Sequence, residues 1–280
     1  MRSRWFILIA IIWTTGVQAY AVRSEKGNII GKDKKYPVSG IPRQLLENTD
    51  AVIRLDDRTF EVNDIRSGTY SRKYAVTILN QQGQKYGYFV NPYFGKSGLV
   101  QFTGTVFNAF GVEIDKIKKS DLEDRSNFDG FSIYSDSRYQ SVTYTHHQYP
   151  YTIEYEFVER YDDMMFYPGW TPQWAGKLAV QKSDFTVLVP KEMELRYKEI
   201  NLNESVDIAT EAEKNSYSWS IEGLAAVEAD QVGSNWKDLA PKVMVGPKKF
   251  EFEGYAGDMS RASLPVLSKE NRAGPEWTRN

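Results

Sequence analysis

Tyr151-Thr-Ile-Glu-Tyr-Glu-Phe157 is the stretch that decides the fold. Tyr151, Ile153, Tyr155 and Phe157 point one way from an extended backbone, and Thr152, Glu154 and Glu156 point the other. An apolar–polar period of two is the signature of a strand with one face on a core and one toward water. A helix would need its apolar residues three and four apart. The same alternation returns in Tyr217, Trp219 and Ile221 against Ser216, Ser218 and Ser220, and in Phe250 and Phe252 against Glu251 and Glu253. Outward from these, strands are predicted at Ala51–Leu55, Thr59–Ile65, Ser71–Leu79, Gly98–Phe110, Phe131–Tyr134, Arg138–His146 and Phe185–Val189.

Turn residues separate the runs. Asn80-Gln-Gln-Gly83 and Asn108-Ala-Phe-Gly111 read as hairpin connections, each with a glycine available for positive φ. A short helical turn is predicted at Lys119–Asp124, where Ser120 would cap and Glu123 follows three residues later. Another is predicted at Arg43–Glu47. Many short strands with almost no helical periodicity predict an all-β fold, an antiparallel β-sandwich, either one large sandwich or two packed sub-sandwiches. Pro190, which cannot donate to a ladder, marks a sub-boundary between them. No internal repeat or low-complexity tract interrupts the pattern.

The N-terminus carries a different signal. Arg2 and Arg4 precede the apolar run Trp5–Trp13, and Val17-Gln18-Ala19 places small residues where signal peptidase reads them. This is the pattern of a cleaved export signal over residues 1–19. The run is too short to span a bilayer, which takes about 20 apolar residues. The alternatives are an uncleaved anchor or a buried helix. With no second hydrophobic segment, the mature chain is expected to carry no transmembrane segment, and its place to be periplasmic, extracellular or on the cell envelope. Residues 20–45 are read as a poorly ordered, polar lead-in rich in glycine and proline. Residues 260–280 lack any period joining Leu264, Val266, Leu267 and Trp277, and are expected to be a disordered tail.

Composition removes whole classes of chemistry. The chain has no cysteine, so thiolate nucleophiles, thiolate zinc sites and iron–sulfur clusters are excluded together. Loss of Arg2 and Arg4 with the leader takes the formal charge from −2 to −4. That argues against nucleic acid as a partner, which would call for a basic stripe. His146 and His147 are adjacent, so on a strand they face opposite ways and cannot share a metal without a bulge. The acidic stretch Asp121–Gly130 fails the EF-hand pattern: counted from Asp121, position 5 is Arg125 and position 6 is Ser126, and counted from Asp124, position 5 is Phe128. No serine lies in a Gly-x-Ser-x-Gly elbow. Carboxylate pairs are plentiful, and none is singled out. No catalytic residue, metal site or cofactor is predicted. The one unusual surface candidate is Tyr167-Pro-Gly-Trp-Thr-Pro-Gln-Trp174. Tyr167, Trp170 and Trp174 could stack on sugar rings or anchor a peptide. The plainer reading is that the two indoles plug the end of the sandwich.

The order of these motifs resembles the DUF3857 family, the β-rich domain at the N-terminus of exported bacterial proteins that carry a transglutaminase-like domain behind it. The resemblance rests on Ala51-Val-Ile-Arg-Leu-Asp56, Tyr74-Ala-Val-Thr-Ile-Leu-Asn-Gln-Gln-Gly83, Phe107-Asn-Ala-Phe-Gly111 and Lys118-Lys-Ser-Asp-Leu-Glu-Asp124. It continues through Tyr149–Phe157, Ser183–Pro190, Tyr217-Ser-Trp219, Gly223–Glu228 and Phe252–Met259. It covers residues 46–259. It implies a scaffold or recognition domain beside a papain-like fold. In relatives the chain runs past a Gly-Asp-Met segment into the transglutaminase-like domain. Here Gly257-Asp-Met259 is followed by Ser260-Arg-Ala-Ser-Leu-Pro265, without the Cys-His-Asp machinery, which leaves a fragment, a truncated product and a stand-alone accessory protein all open. The expected function is a non-catalytic binding or interaction module with a protein or glycan ligand. The alternatives are a structural docking partner of a separate transglutaminase-like or protease chain, and a carboxylate-based hydrolase.

Overall fold

Alternating side chains become strands along most of the chain. The computed structural model describes residues 34–94, 97–126, 137–162, 164–203, 205–211, 213–227, 239–252 and 255–258. The leader read at 1–19, the strand read at Phe131–Tyr134 and the tail read at 260–280 lie outside the described residues. In chain order the strands are β1 (Ala51–Val62), β2 (Gly68–Ile78), β3 (Phe89–Phe94), β4 (Gly98–Asn108) and β5 (Glu113–Lys118). Then come β6 (Glu123–Ser126), β7 (Ser137–Val142), β8 (Tyr151–Tyr161), β9 (Leu178–Pro190) and β10 (Leu195–Ile200). The series closes with β11 (Asp207–Glu211), β12 (Lys214–Leu224), β13 (Lys242–Pro247), β14 (Lys249–Phe252) and β15 (Tyr255–Asp258).

An eight-stranded sheet, ordered β11-β12-β9-β1-β2-β8-β4-β5, forms one layer. Its inner face carries Ile53, Phe60, Val76, Ile78, Val106, Ile153, Tyr155, Val180, Phe185 and Val187, all buried. Against it pack Tyr86, Phe89, Met164, Tyr167, Trp170, Leu195, Val243 and Val245, supplied by the small sheets β3-β7-β6 and β10-β13 and by the connections between strands. Phe89 alone sets its ring 4.6 Å from Phe102 and 5.3 Å from both Tyr155 and Phe157. The all-β sandwich expected from the alternation is the fold found. Among the described residues its strand pairs are antiparallel except one: β1 and β9 run parallel at the centre of the large sheet.

The outer face is covered at one end by residues 34–46, so the part of the lead-in from residue 34 on is ordered, against the expectation, because its apolar side chains are buried on the sheet. Ile41 and Leu45 pack on Val52 and Ala179, and the Arg54 guanidinium donates to the carbonyls of Tyr36 and Pro37 at 3.0 and 3.2 Å. This segment includes the expected helical turn, a 3-10 turn at Arg43–Leu45.

Local chemistry departs from expectation in two places. Asn80–Gly83 does not close a hairpin, because the chain leaves β2 through a 3-10 turn at Gln81–Gly87 and enters a different sheet. Gly83 is needed for close approach instead, since a Cβ there would sit 2.1 Å from the Asp50 carbonyl oxygen. By contrast Gly111, at the β4–β5 turn, has φ +81°, the left-handed conformation that glycine takes without penalty. The turn after β5 is only Lys119–Asp121, and its cap is Asp121, whose carboxylate accepts from the Lys118 N–H at 2.8 Å.

Candidate functional site

The segment Tyr167–Trp174 is a strap across the end of the sandwich. Trp170 pairs with Val243 through two backbone hydrogen bonds of 2.8 Å. Its indole is 0% exposed, stacks 6.4 Å from Phe185 and donates from Nε1 to Ser183 Oγ at 2.9 Å. Ser183 Oγ donates in turn to the Asp56 carbonyl at 3.2 Å. Tyr167 is buried beside Phe60, with ring centroids 4.9 Å apart. Gln173 Nε2 ties the strap to the Leu178 and Ala225 carbonyls at 2.8 and 2.7 Å. Of the three rings Trp174 is the exposed one, at 38%, with its ring edge-on to Tyr86 at 5.3 Å. The structure therefore does not bring Tyr167, Trp170 and Trp174 together as an open platform. Two of the three rings are spent on the core.

Charged groups are also drawn inward. A register shift between Ile53 and Leu55 turns Asp56 and Arg58 onto the core face of β1. The Asp56 carboxylate, 0% exposed, accepts from Arg58 Nε and NH2 at 3.0 and 2.8 Å and from Arg72 Nε at 2.7 Å. Burial alone would raise its pKa, but the two guanidiniums overcome that and hold the carboxyl below the usual range. Glu159, also buried, lies on the same face of β8. On the outer face Glu154 accepts from the Tyr36 hydroxyl at 2.6 Å and Lys35 Nζ at 3.3 Å. These groups hold strands and the 34–46 cover in place. Among the described residues no group of three or more His, Asp or Glu side chains could hold a metal ion.

A third cluster has a different character. β7 ends at Val142, before the histidines, so the extended strand read at Arg138–His146 stops short. The chain then runs irregularly over 143–150 and enters β8 after a cis Tyr149–Pro150 peptide. Freed from strand alternation, Tyr144, His146 and Tyr149 turn to one place and gather around Tyr151. The His146 ring lies 5.3 Å, Tyr149 5.6 Å and Tyr144 6.4 Å from the Tyr151 ring, and His146 stacks on Tyr144. The three outer rings are half-buried, and His147, the next residue, is exposed. Tyr144 donates its hydroxyl to Asp115 Oδ2 on the edge strand β5 at 3.1 Å. Burial and then that carboxylate push the Tyr144 pKa up to about 12, so the phenol stays protonated.

Tyr151 itself is 0% exposed, and its hydroxyl has no hydrogen-bond partner among the described residues. The His146 backbone N–H lies beside it, close enough to ease its pKa down but without hydrogen-bond geometry. Burial first, and then the phenols of Tyr149, Tyr144 and the nearby Tyr88, raise it well above the ordinary value. The Tyr151 O–H is thus a protonated donor held without an acceptor, among half-exposed aromatic faces. Sequence reasoning missed this site. The visible signal was the density of aromatics at 144, 146, 149 and 151, masked by their reading as strand. Tyr88 and Asp115 join only through the tertiary fold.

Residues 66–228 match the family described as "Domain of Unknown Function with solved-structure structure (DUF3857)". No curated protein matches the chain. Among solved structures, a candidate protease from Parabacteroides distasonis is similar with a TM-score of 0.60 at 11% identity, over 70% of this chain and 40% of that one. A candidate nutrient-binding protein from Legionella pneumophila aligns over 70% of this chain and 68% of that one, at 11% identity and TM-score 0.29. An M1 zinc metallopeptidase from Deinococcus radiodurans aligns over 72% and 44%, at 7% identity and TM-score 0.33. The chain thus spans about two-fifths of the Parabacteroides protein, and the likeness is one of fold.

Proposed function

The chain belongs to the DUF3857 family, and on that premise we propose that it is a non-catalytic binding module of the bacterial envelope, exported by the leader at residues 1–19. The observation that carries this reading is the tyrosine cluster: half-exposed rings fixed in orientation around a buried, unpaired O–H donor. An unpaired buried donor costs about 1–3 kcal/mol, a cost that calls for an explanation, and contact with a ligand supplies one. The buried carboxylates of Asp56 and Glu154 are instead paired, the one with Arg58 and Arg72 in the core and the other with Tyr36 and Lys35 under the 34–46 cover.

The test is retention without turnover. Immobilised mature chain is exposed to soluble glycan and peptide fractions of a bacterial envelope digest. Material should be retained and eluted with its mass unchanged, and Tyr144→Ala should abolish retention. Product formation would overturn the non-catalytic reading, and equal retention by Tyr144→Ala would remove the cluster from it. Export is tested separately by intact mass. The exported protein should begin at Tyr20, and a mass that retains residues 1–19 would refute the leader.

A second reading, docking of a further protein domain, is favoured by the β4–β5 turn. Asn108 Oδ1 accepts from the Phe110 and Val112 N–H groups at 3.0 and 3.1 Å. The turn is also pinned to residues 34–46 by Lys35 N–H to Gly111 O and Val38 N–H to Ala109 O, both at 3.0 Å. This rigid frame holds Phe110 72% exposed. An exposed aromatic presented on a fixed backbone suits an interface anchor.

A further inference from the structure

We propose that the tyrosine cluster is a carbohydrate subsite, in which one sugar ring stacks on the faces of Tyr144, His146 and Tyr149 and offers an oxygen to the Tyr151 hydroxyl. The proposal rests on the binding-module reading and names its ligand class.

Three features converge on a polyol with an apolar face. The half-buried rings of Tyr144, His146 and Tyr149 supply flat apolar area whose orientation is already fixed, and the C–H face of a pyranose matches such area. The Tyr151 O–H is a neutral donor at zero exposure, and it needs an acceptor. A quaternary ammonium or alkyl ammonium group, the other guest that aromatic clusters favour, has no acceptor to give. A hydrocarbon has none either. A ring oxygen or a hydroxyl does. The third feature is Asp115. Each of its carboxylate oxygens takes one donor, the Tyr144 hydroxyl at Oδ2 and the Lys116 N–H at Oδ1. A carboxylate has about four acceptor sites, so lone pairs remain for donors from outside. One orphan donor, one carboxylate with spare capacity and flat apolar walls together call for a ligand that accepts, donates and stacks. Sugars do all three.

The molecule contains its own reporter, because His146 and His147 are its two histidines. His146 stands in the cluster and His147 is exposed beside it. Ring-proton NMR of the mature chain is followed while linear tetrasaccharides of a neutral hexose or of an N-acetylhexosamine are added to millimolar concentration. Tetramethylammonium chloride serves as the rival probe. At least one oligosaccharide should shift the His146 signals and leave those of His147 unmoved. Tyr151→Phe should weaken that binding roughly three- to tenfold, the worth of one neutral hydrogen bond, without lowering Tm, because the lost O–H had no partner. A shift caused by tetramethylammonium and by no sugar would overturn the carbohydrate class and leave the binding site standing. Sugar binding of equal strength to Tyr151→Phe would overturn the role of the orphan donor. If no probe moves His146, the cluster falls as a binding site together with the proposal.

Discussion

Asp56→Ala is expected to destabilise the fold by about 3–5 kcal/mol, the cost of breaking a buried ion pair by removing one of its members. Asp56 lies beneath the sheet's core face with Arg58 and Arg72 both bonded to it. Arg58 is itself buried, so its guanidinium cannot turn to water when the carboxylate is gone. Asp56→Asn should cost nearly as much, since it keeps the shape and loses the charge. The pH dependence gives a second reading of the same bond. The folded-state pKa of Asp56 is depressed. Its contribution is therefore fully present above the unfolded value of about 3.9 and fades as pH falls through the lower folded value. Urea unfolding at neutral pH should show the large loss, and the gap between wild type and Asp56→Asn should narrow steadily as the solution is acidified below that range. A gap that stays constant through acid would mean that Asp56 is not ionised in the folded protein.

Trp170→Ala should cost about 3–5 kcal/mol as well, by leaving a large cavity in the core. The indole fills the space between the strap and Phe185, and its Nε1–H is the donor that Ser183 accepts. Trp174→Ala, at a half-exposed ring, should stay within roughly 1 kcal/mol. Thermal unfolding of the two variants side by side separates the plug reading from the ligand reading. Equal and small losses, with a ligand that Trp170→Ala alone fails to bind, would return Trp170 to the stacking role considered from the sequence.

These two positions show why local pattern reached only so far. Ala51–Leu55 and Thr59–Ile65 read as two strands because Asp56-Asp-Arg58 interrupts the apolar residues, as a turn would. One extra residue at the bulge keeps the strand continuous and changes which face each later side chain takes. The charges that looked like a turn are then the pair locked in the core. Trp170 carries no local mark of burial. Its bonding partner Val243 and its neighbour Phe185 come from other strands, so its side was set by chain that had to fold back over it.

What the sequence determined by itself was the class of structure and the chemistry it forbids. Alternation at Tyr151–Phe157 and Tyr217–Ile221 commits those residues to half-buried strands, because a period of two can bury only one face of an extended chain. The missing cysteine removes thiolate chemistry whatever the fold. Tertiary structure alone decided which strands meet, including the parallel β1–β9 pair, since hydrogen-bonding backbone is the same in every strand and names no partner. It also decided where aromatic rings end. Two of the three rings in Tyr167–Trp174 were drawn into the core by partners distant in the chain. The rings at Tyr144, His146 and Tyr149, released from strand alternation after Val142, were left half-open around a hydroxyl that the packing buries and does not pair.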